Sequence, residues 1–148
     1  MTTPRYHDIK DTPLPTDAEL IPHIQAMLEG GYRRQVWVML LDSEHRPLPV
    51  LMPSDVPAEP DPEDVLGLGD FLRCIAMDVP GSQLVLTFER PGPADLVERD
   101  RRWLRLLREA ALASEYPFRG PFLLLGNAVR QVPPDEYLTA EWVELEEY

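Results

Sequence analysis

The sequence predicts an α/β protein with a single mixed β-sheet flanked by helices, its elements in the order α-β-β-α-β-α-β-β. Three observations predict it. Two apolar runs of strand length, Val36-Trp37-Val38-Met39-Leu40-Leu41 and Phe122-Leu123-Leu124-Leu125, lack alternation and so need cover on both faces. Residues 95 to about 114 carry a broad apolar face opposite a charged one, the pattern of an amphipathic helix. Strand and helix patterns interleave along 148 residues, about the size of one domain.

The elements follow in chain order. Residues 1–15 are polar and proline-bearing and read as a flexible arm before a domain over 16–138. Thr16-Asp17-Ala18-Glu19 is a capping-box pattern, followed by Leu20, Ile24, Met27 and Leu28 at helical spacing. Pro22 inside this pattern either kinks the helix or marks its true start, and Gly30-Gly31 ends it. The Val36–Leu41 run and Leu48-Pro49-Val50-Leu51-Met52 flank the polar turn Asp42-Ser43-Glu44-His45-Arg46, which predicts a hairpin with Pro49 at an edge or a bulge.

Residues 53–62 hold four prolines and read as a loop. Asp61-Pro62 then supplies an N-cap and a first-turn proline for a helix to about Met77, weakened in its first half by Gly67 and Gly69. Gln83–Phe88 reads as a strand. A Pro/Gly loop, the helix from Asp95, the strand Phe122–Leu125, a Gly126-Asn127 turn and a short strand over 128–132 complete the domain. On the long helix, Glu98 and Arg102 are four apart, an attractive pair worth about 0.3 kcal/mol. Residues 139–148 form an acidic tail.

Net charge is −12, which repels phosphate backbones and anionic membrane surfaces. Nucleic-acid binding is disfavoured, because the basic clusters Arg33-Arg34 and Arg99-Asp100-Arg101-Arg102 are short and set among acids. They read as solvated faces with local ion pairs. Thirteen arginines against one lysine suggest a GC-rich bacterial genome. One cysteine, Cys74, rules out an intramolecular disulfide and reads as a small buried hydrophobe in an apolar helical run. The first residues lack a signal-peptide pattern, and no run approaches the roughly 20 apolar residues of a membrane span. The expectation is a cytoplasmic protein without a membrane partner.

Few residues carry an obvious chemistry. His7, His23 and His45 are isolated, so a histidine metal site would need an arm, a helix and a turn to converge; each reads as a surface histidine. There is no Gly-x-Ser-x-Gly, and Gly67-Leu68-Gly69 lies in a helical pattern with no Lys-Ser/Thr after it. Glu59, Asp61, Glu63 and Asp64 cluster, but not at the spacing of a calcium loop, and read as a solvated helix start. The tail Glu141-Trp142-Val143-Glu144-Leu145-Glu146-Glu147-Tyr148 mixes acids with aromatics. Either it docks on a partner or it folds back on its own domain, with Trp142 and Leu145 as anchors.

From Val85-Leu86-Thr87-Phe88-Glu89-Arg90-Pro91-Gly92 into the long helix, the chain resembles the RadC-like branch of the JAB/MPN family. There a strand ends in His-x-His-Pro-Ser-Gly and a Ser-x-x-Asp opens the next helix. The histidines and the aspartate hold zinc, and an upstream glutamate activates water. Here Phe88 and Arg90 stand where the two histidines would be, and Val97-Glu98-Arg99-Asp100 falls on Ser-x-x-Asp, so Asp100 alone keeps a ligand type. Arg34 or Gln35 stands near the expected glutamate. Val36–Asp42 and Gly120–Asn127 resemble the family's neighbouring strands, so the likeness spans about 32–132.

The resemblance implies a JAB/cytidine-deaminase-like sheet. On chemistry it implies neither a zinc site nor a cofactor, since phenylalanine offers no ligand and a guanidinium cannot shed its proton to become one. Glu89, Arg90 and Asp100 form the candidate pseudo-site, with Arg90 and Asp100 expected to pair across it. The leading expectation is a non-catalytic JAB-like domain that binds an unidentified protein. One alternative is an enzyme with a metal-independent site using Glu89 and Asp100. Another is an acidic decoy of a nucleic-acid-binding protein. Self-association stays open, since an exposed apolar edge strand would favour it.

Overall fold

A computed structural model describes residues 12–28, 33–57, 59–93, 95–126 and 128–138. Its described elements are α1 (Asp17–Met27), β1 (Gln35–Leu41), β2 (Pro47–Asp55), a 3-10 turn (Pro62–Asp64), α2 (Val65–Met77), β3 (Gln83–Glu89), α3 (Glu98–Ser114), β4 (Phe118–Leu125), β5 (Ala128–Gln131) and a second 3-10 turn (Pro134–Glu136). The strands form one mixed sheet in the order β2-β1-β3-β4-β5, in which only β3 and β4 run parallel. The α/β class with a single mixed sheet is thus as expected. Residues 1–11 and 139–148, with His7, Trp142 and Leu145, lie outside the described residues.

Alternation along β1 and β3 divides the core into two layers. Val36, Val38, Leu40, Leu84, Leu86 and Phe88 face α2 and α3, joining Leu72, Trp103, Leu104 and Leu107. Met39, Leu41 and Val85 face the other way, with Phe122 and Leu124 of β4, and meet Leu20, Ile24 and Leu28 of α1. The unbroken apolar run of β1 follows from this: it is sandwiched between helices on both sides.

Local chemistry sets the helix ends. The Thr16 hydroxyl accepts from the Glu19 amide and donates to the Glu19 carboxylate, and α1 runs on through Pro22 to its C-cap at Leu28. Asp61 caps the 3-10 turn by accepting from the Glu63 amide at 3.0 Å, with Pro62 behind it, and α2 follows directly. Gly69 lies where α2 crosses α3. A Cβ there would meet the Ala110 carbonyl and the Ala113 methyl at 3.1 Å, so glycine permits the close approach. Arg73 reaches from α2 to the last carbonyls of α3, Ala113 and Ser114, placing a cation at that helix C-terminus.

Several expectations need correction. The strand after the turn runs on through Pro53 to Asp55, where a loop was expected. The arm boundary falls inside packed structure: Leu14 is buried, its amide donates to the His45 carbonyl, and its own carbonyl accepts from Arg119, which also binds Asp17. His23 is buried on α1, one turn from Leu20, and burial lowers its pKa below 6.5. Cys74 is exposed. Glu98 pairs with Arg105 and Arg101, while Arg102 pairs with Glu59.

Both sheet edges resist pairing. Pro49 lies in an irregular stretch of the edge strand β2. The Val56 amide bonds the Arg34 carbonyl, and alternation from there turns the Pro53 nitrogen away from β1, where it denies a donor to any incoming strand. At the other edge, β5 is four residues long and its Val129 amide is taken by Gln25 of α1.

Candidate functional site at the end of β3

In open α/β sheets the carboxyl end of a parallel strand is the usual place for chemistry. The end of β3 brings Phe88, Glu89 and Arg90 together in sequence, and the pleat sends them to two faces. Phe88 turns toward α3, where its ring stacks on Trp103 with centroids 5.9 Å apart. Arg90 turns the same way and meets Asp100, in the first turn of α3. Its Nε lies 2.8 Å from Asp100 Oδ1, with both side chains almost wholly buried. The pairing expected between these residues is present.

The rest of the Arg90 guanidinium organises the loop. Nη1 donates to the carbonyls of Pro91 and Pro93, and Nη2 to that of Asp95. Four of its five N–H groups are therefore engaged, one by an ion pair and three by loop carbonyls. Asp100 uses its second oxygen as well: Oδ2 accepts from the Val97 amide at 3.1 Å and closes the first turn of α3. The prolines at 91 and 93 have no N–H of their own, so the loop has few ways to hold its shape, and the arginine holds it from within.

Glu89 points to the α1 side of the sheet. Its carboxylate accepts from the Arg33 amide at 3.0 Å, from Gln35 Nε2 at 2.8 Å and from Trp37 Nε1 at 2.7 Å. Only 1% of the residue is exposed. These bonds fasten the start of β1 to the end of β3. The structure thus joins Arg90 with Asp100 but separates Glu89 from both by the thickness of the sheet, so the three do not form one site. Thr87, two residues back on the Glu89 face, has a buried hydroxyl with no hydrogen-bond partner among the described residues.

The donor set does not suit a metal. A ring stacked on tryptophan and a guanidinium flank the single carboxylate, and that carboxylate already serves a cation and an amide. Among the described residues, no group of three or more His, Cys, Asp or Glu side chains could hold a metal ion. In the acidic cluster, Glu59 binds Arg99 and Arg102, and Asp61 caps a turn. His45, in its turn with φ of 66°, accepts at Nδ1 from the Gln83 side-chain amide of β3.

A different surface is open where the loop is closed. The outward side of α2 is largely apolar: Leu66 and Met77 are 73% and 58% exposed, Phe71 and Cys74 are exposed beside them, and Met52 of β2 adjoins. Phe71, Cys74, Ile75, Val50 and Met52 line a groove between α2 and the edge strand. No helix among the described residues is long and apolar enough to cross a membrane. No protein-family model, curated protein or solved structure matches the chain.

Proposed function

We propose that this protein is a non-catalytic α/β domain, related in plan to the JAB fold, that acts by binding another protein. The observation that carries the reading is the buried Arg90–Asp100 pair. It fills the loop where a hydrolase of the resembling family would hold its metal, and it engages the groups that chemistry would need. The alternative of a metal-independent enzyme using Glu89 and Asp100 gains no support, because the two carboxylates face opposite sides of the sheet and each is held by donors.

The apolar side of α2 supports binding to a protein. Exposed apolar side chains gathered beside a groove commonly mark an interaction surface, and here Asp70 and Arg73 interrupt them on the outer stripe. Cys74 lies within it and is the only cysteine, so it offers a selective handle. A benzophenone maleimide attached there should crosslink one discrete protein in lysate of the native host. Met77→Glu should abolish the adduct. The same probe at position 130, on the opposite sheet edge (Arg130→Cys in a Cys74→Ser background), should not form it. Identical adducts from both positions would sink the reading. So would stoichiometric zinc in the purified protein together with a melt that a strong chelator lowers.

A further inference from the structure

A cavity of about 270 Å³ lies between α1 and the edge strand β2, on the side of the sheet away from α2 and α3. Its walls carry His23 and Met27 of α1 and Met39 of β1. His23 and Met27 are four residues apart on one helix, so they stand one above the other on the same face. Met39 lies on the face of the sheet that α1 covers, paired with Leu51, which also lines the cavity. The rest of the lining, residues 47–51, is proline, leucine and valine and offers no polar side chain.

Two features separate this cavity from ordinary core packing. Leucine would fill the space as well as methionine, yet two thioethers and an imidazole share the one cavity. The imidazole is buried, and burial is the cause of its lowered pKa; no carboxylate or hydrogen-bond partner among the described residues sets it. A buried polar group without a partner is costly, and the neutral ring is the form that offers a lone pair to a metal. Methionine has three rotatable bonds, so both sulfurs can swing toward the ring.

We propose that His23, Met27 and Met39 form a binding site for a soft monovalent cation, copper(I), with one imidazole nitrogen and two thioether sulfurs as its ligands. Thioether and imidazole donors favour that ion. Hard cations need oxygen ligands, and none of the lining side chains has one. Zinc takes four ligands from thiolate, imidazole and carboxylate, and the cavity supplies one. A singly charged ion also costs less to bury in an apolar wall than a doubly charged one. Pro49 is exposed at the rim, beside the sheet edge, and gives the ion a way in. The site is separate from the α2 face and from the Arg90–Asp100 pair, and it stands whether or not α2 binds a protein.

The test uses the full-length Cys74→Ser protein, which keeps all three ligands and lacks the thiol that would compete for the ion. Its five methionine methyl groups are isotope-labelled and followed by NMR during titration with silver(I), a redox-inert stand-in for copper(I). The Met27 and Met39 resonances should shift together and stop at one equivalent. Those of Met52 and Met77, the more exposed thioethers, should stay in place, and zinc should move none of them. Loss of a supporting partner alone costs about 10–100-fold in metal affinity, so Met27→Leu or Met39→Leu should weaken copper(I) binding by at least about ten-fold in anaerobic competition with a bathocuproine chelator. Both substitutions conserve volume, and melts of the metal-free variants check that each still folds. Met52→Leu should bind as the parent does. Shifts led by Met52 or Met77, no saturation at one equivalent, or undiminished copper(I) affinity in Met27→Leu and Met39→Leu would overturn the proposal, and so would equal shifts with zinc.

Discussion

The two single losses at the Arg90–Asp100 pair should sum to more than the cost of removing both together. Arg90→Leu leaves the Asp100 carboxylate fully buried with only the Val97 amide as a donor, and leaves three loop carbonyls without their partner. Loss of one member of a buried pair costs about 3–5 kcal/mol. In a domain of this size 1 kcal/mol moves the melting temperature by about 2–4 °C, so the fall should be about 6–20 °C. Asp100→Asn keeps an acceptor for the Val97 amide but loses the charge-assisted bond, and should cost about 1.5–3 kcal/mol. The double variant Arg90→Leu/Asp100→Asn leaves neither charge stranded, and its cost should fall short of the summed single losses by about 1–3 kcal/mol. Urea unfolding followed by tryptophan fluorescence measures all of these, provided the denaturant slope is unchanged across the set. Single losses below about 1 kcal/mol, or losses that add within about 0.5 kcal/mol, would refute the idea that this pair braces the loop from inside.

Other substitutions test other parts of the fold. Gly67→Ala meets nothing within 4 Å and should stabilise α2 by about 0.5–1 kcal/mol, whereas Gly69→Leu must push α3 away and should cost more than about 2 kcal/mol; thermal melts decide both. Thr87→Val removes a buried hydroxyl that has no partner among the described residues and should raise stability by about 1 kcal/mol in urea titration; a loss of stability would mean that the hydroxyl is engaged. His23 has a pKa lowered by burial, so the unfolded chain holds the extra proton more readily. Its contribution to stability is then complete above about pH 6.5 and is lost as pH falls through the lower folded value; His23→Gln should flatten that part of the stability profile, and an unchanged slope would refute it.

Much of the architecture was legible because the apolar runs and caps are local signals. Thr16, Asp61 and Pro62 each act within a few residues, and the sequence shows them directly. Arg90 and Asp100 were legible as a pair because each stood where a metal ligand would stand in the resembling motif. The errors have physical causes too. The stretch Val65–Met77 is apolar almost all round, so composition cannot say which side faces the sheet; the close crossing at Gly69 turns Leu72 and Ala76 inward and Cys74 outward. His23 is polar by type, yet its spacing from Leu20 and Ile24 puts it on the buried stripe of α1. The strap from Arg119 to Asp17 links residues 102 apart and leaves no local trace.

Polarity runs against the usual pattern at two places in this fold. The carboxyl end of β3 carries the charges Glu89 and Arg90, but the strand's pleat gives each a separate buried solution. Donors from β1 satisfy Glu89, and an acid of α3 with the loop's own carbonyls satisfies Arg90. Charges held in this way are poor nucleophiles and poor proton carriers, because moving a proton or a ligand onto them would strand their partners in the core. On α2 the reverse holds: the outward side, where solvent would favour charge, offers leucine, methionine and phenylalanine. The charged groups at the end of β3 are thus locked inside, while the exposed side of α2 presents several apolar side chains, and this contrast is what supports the proposal of association. Under the proposed protein-binding role, the proline of β2 and the Gln25 bond on β5 leave the helix faces, rather than the sheet edges, as the surfaces for contact.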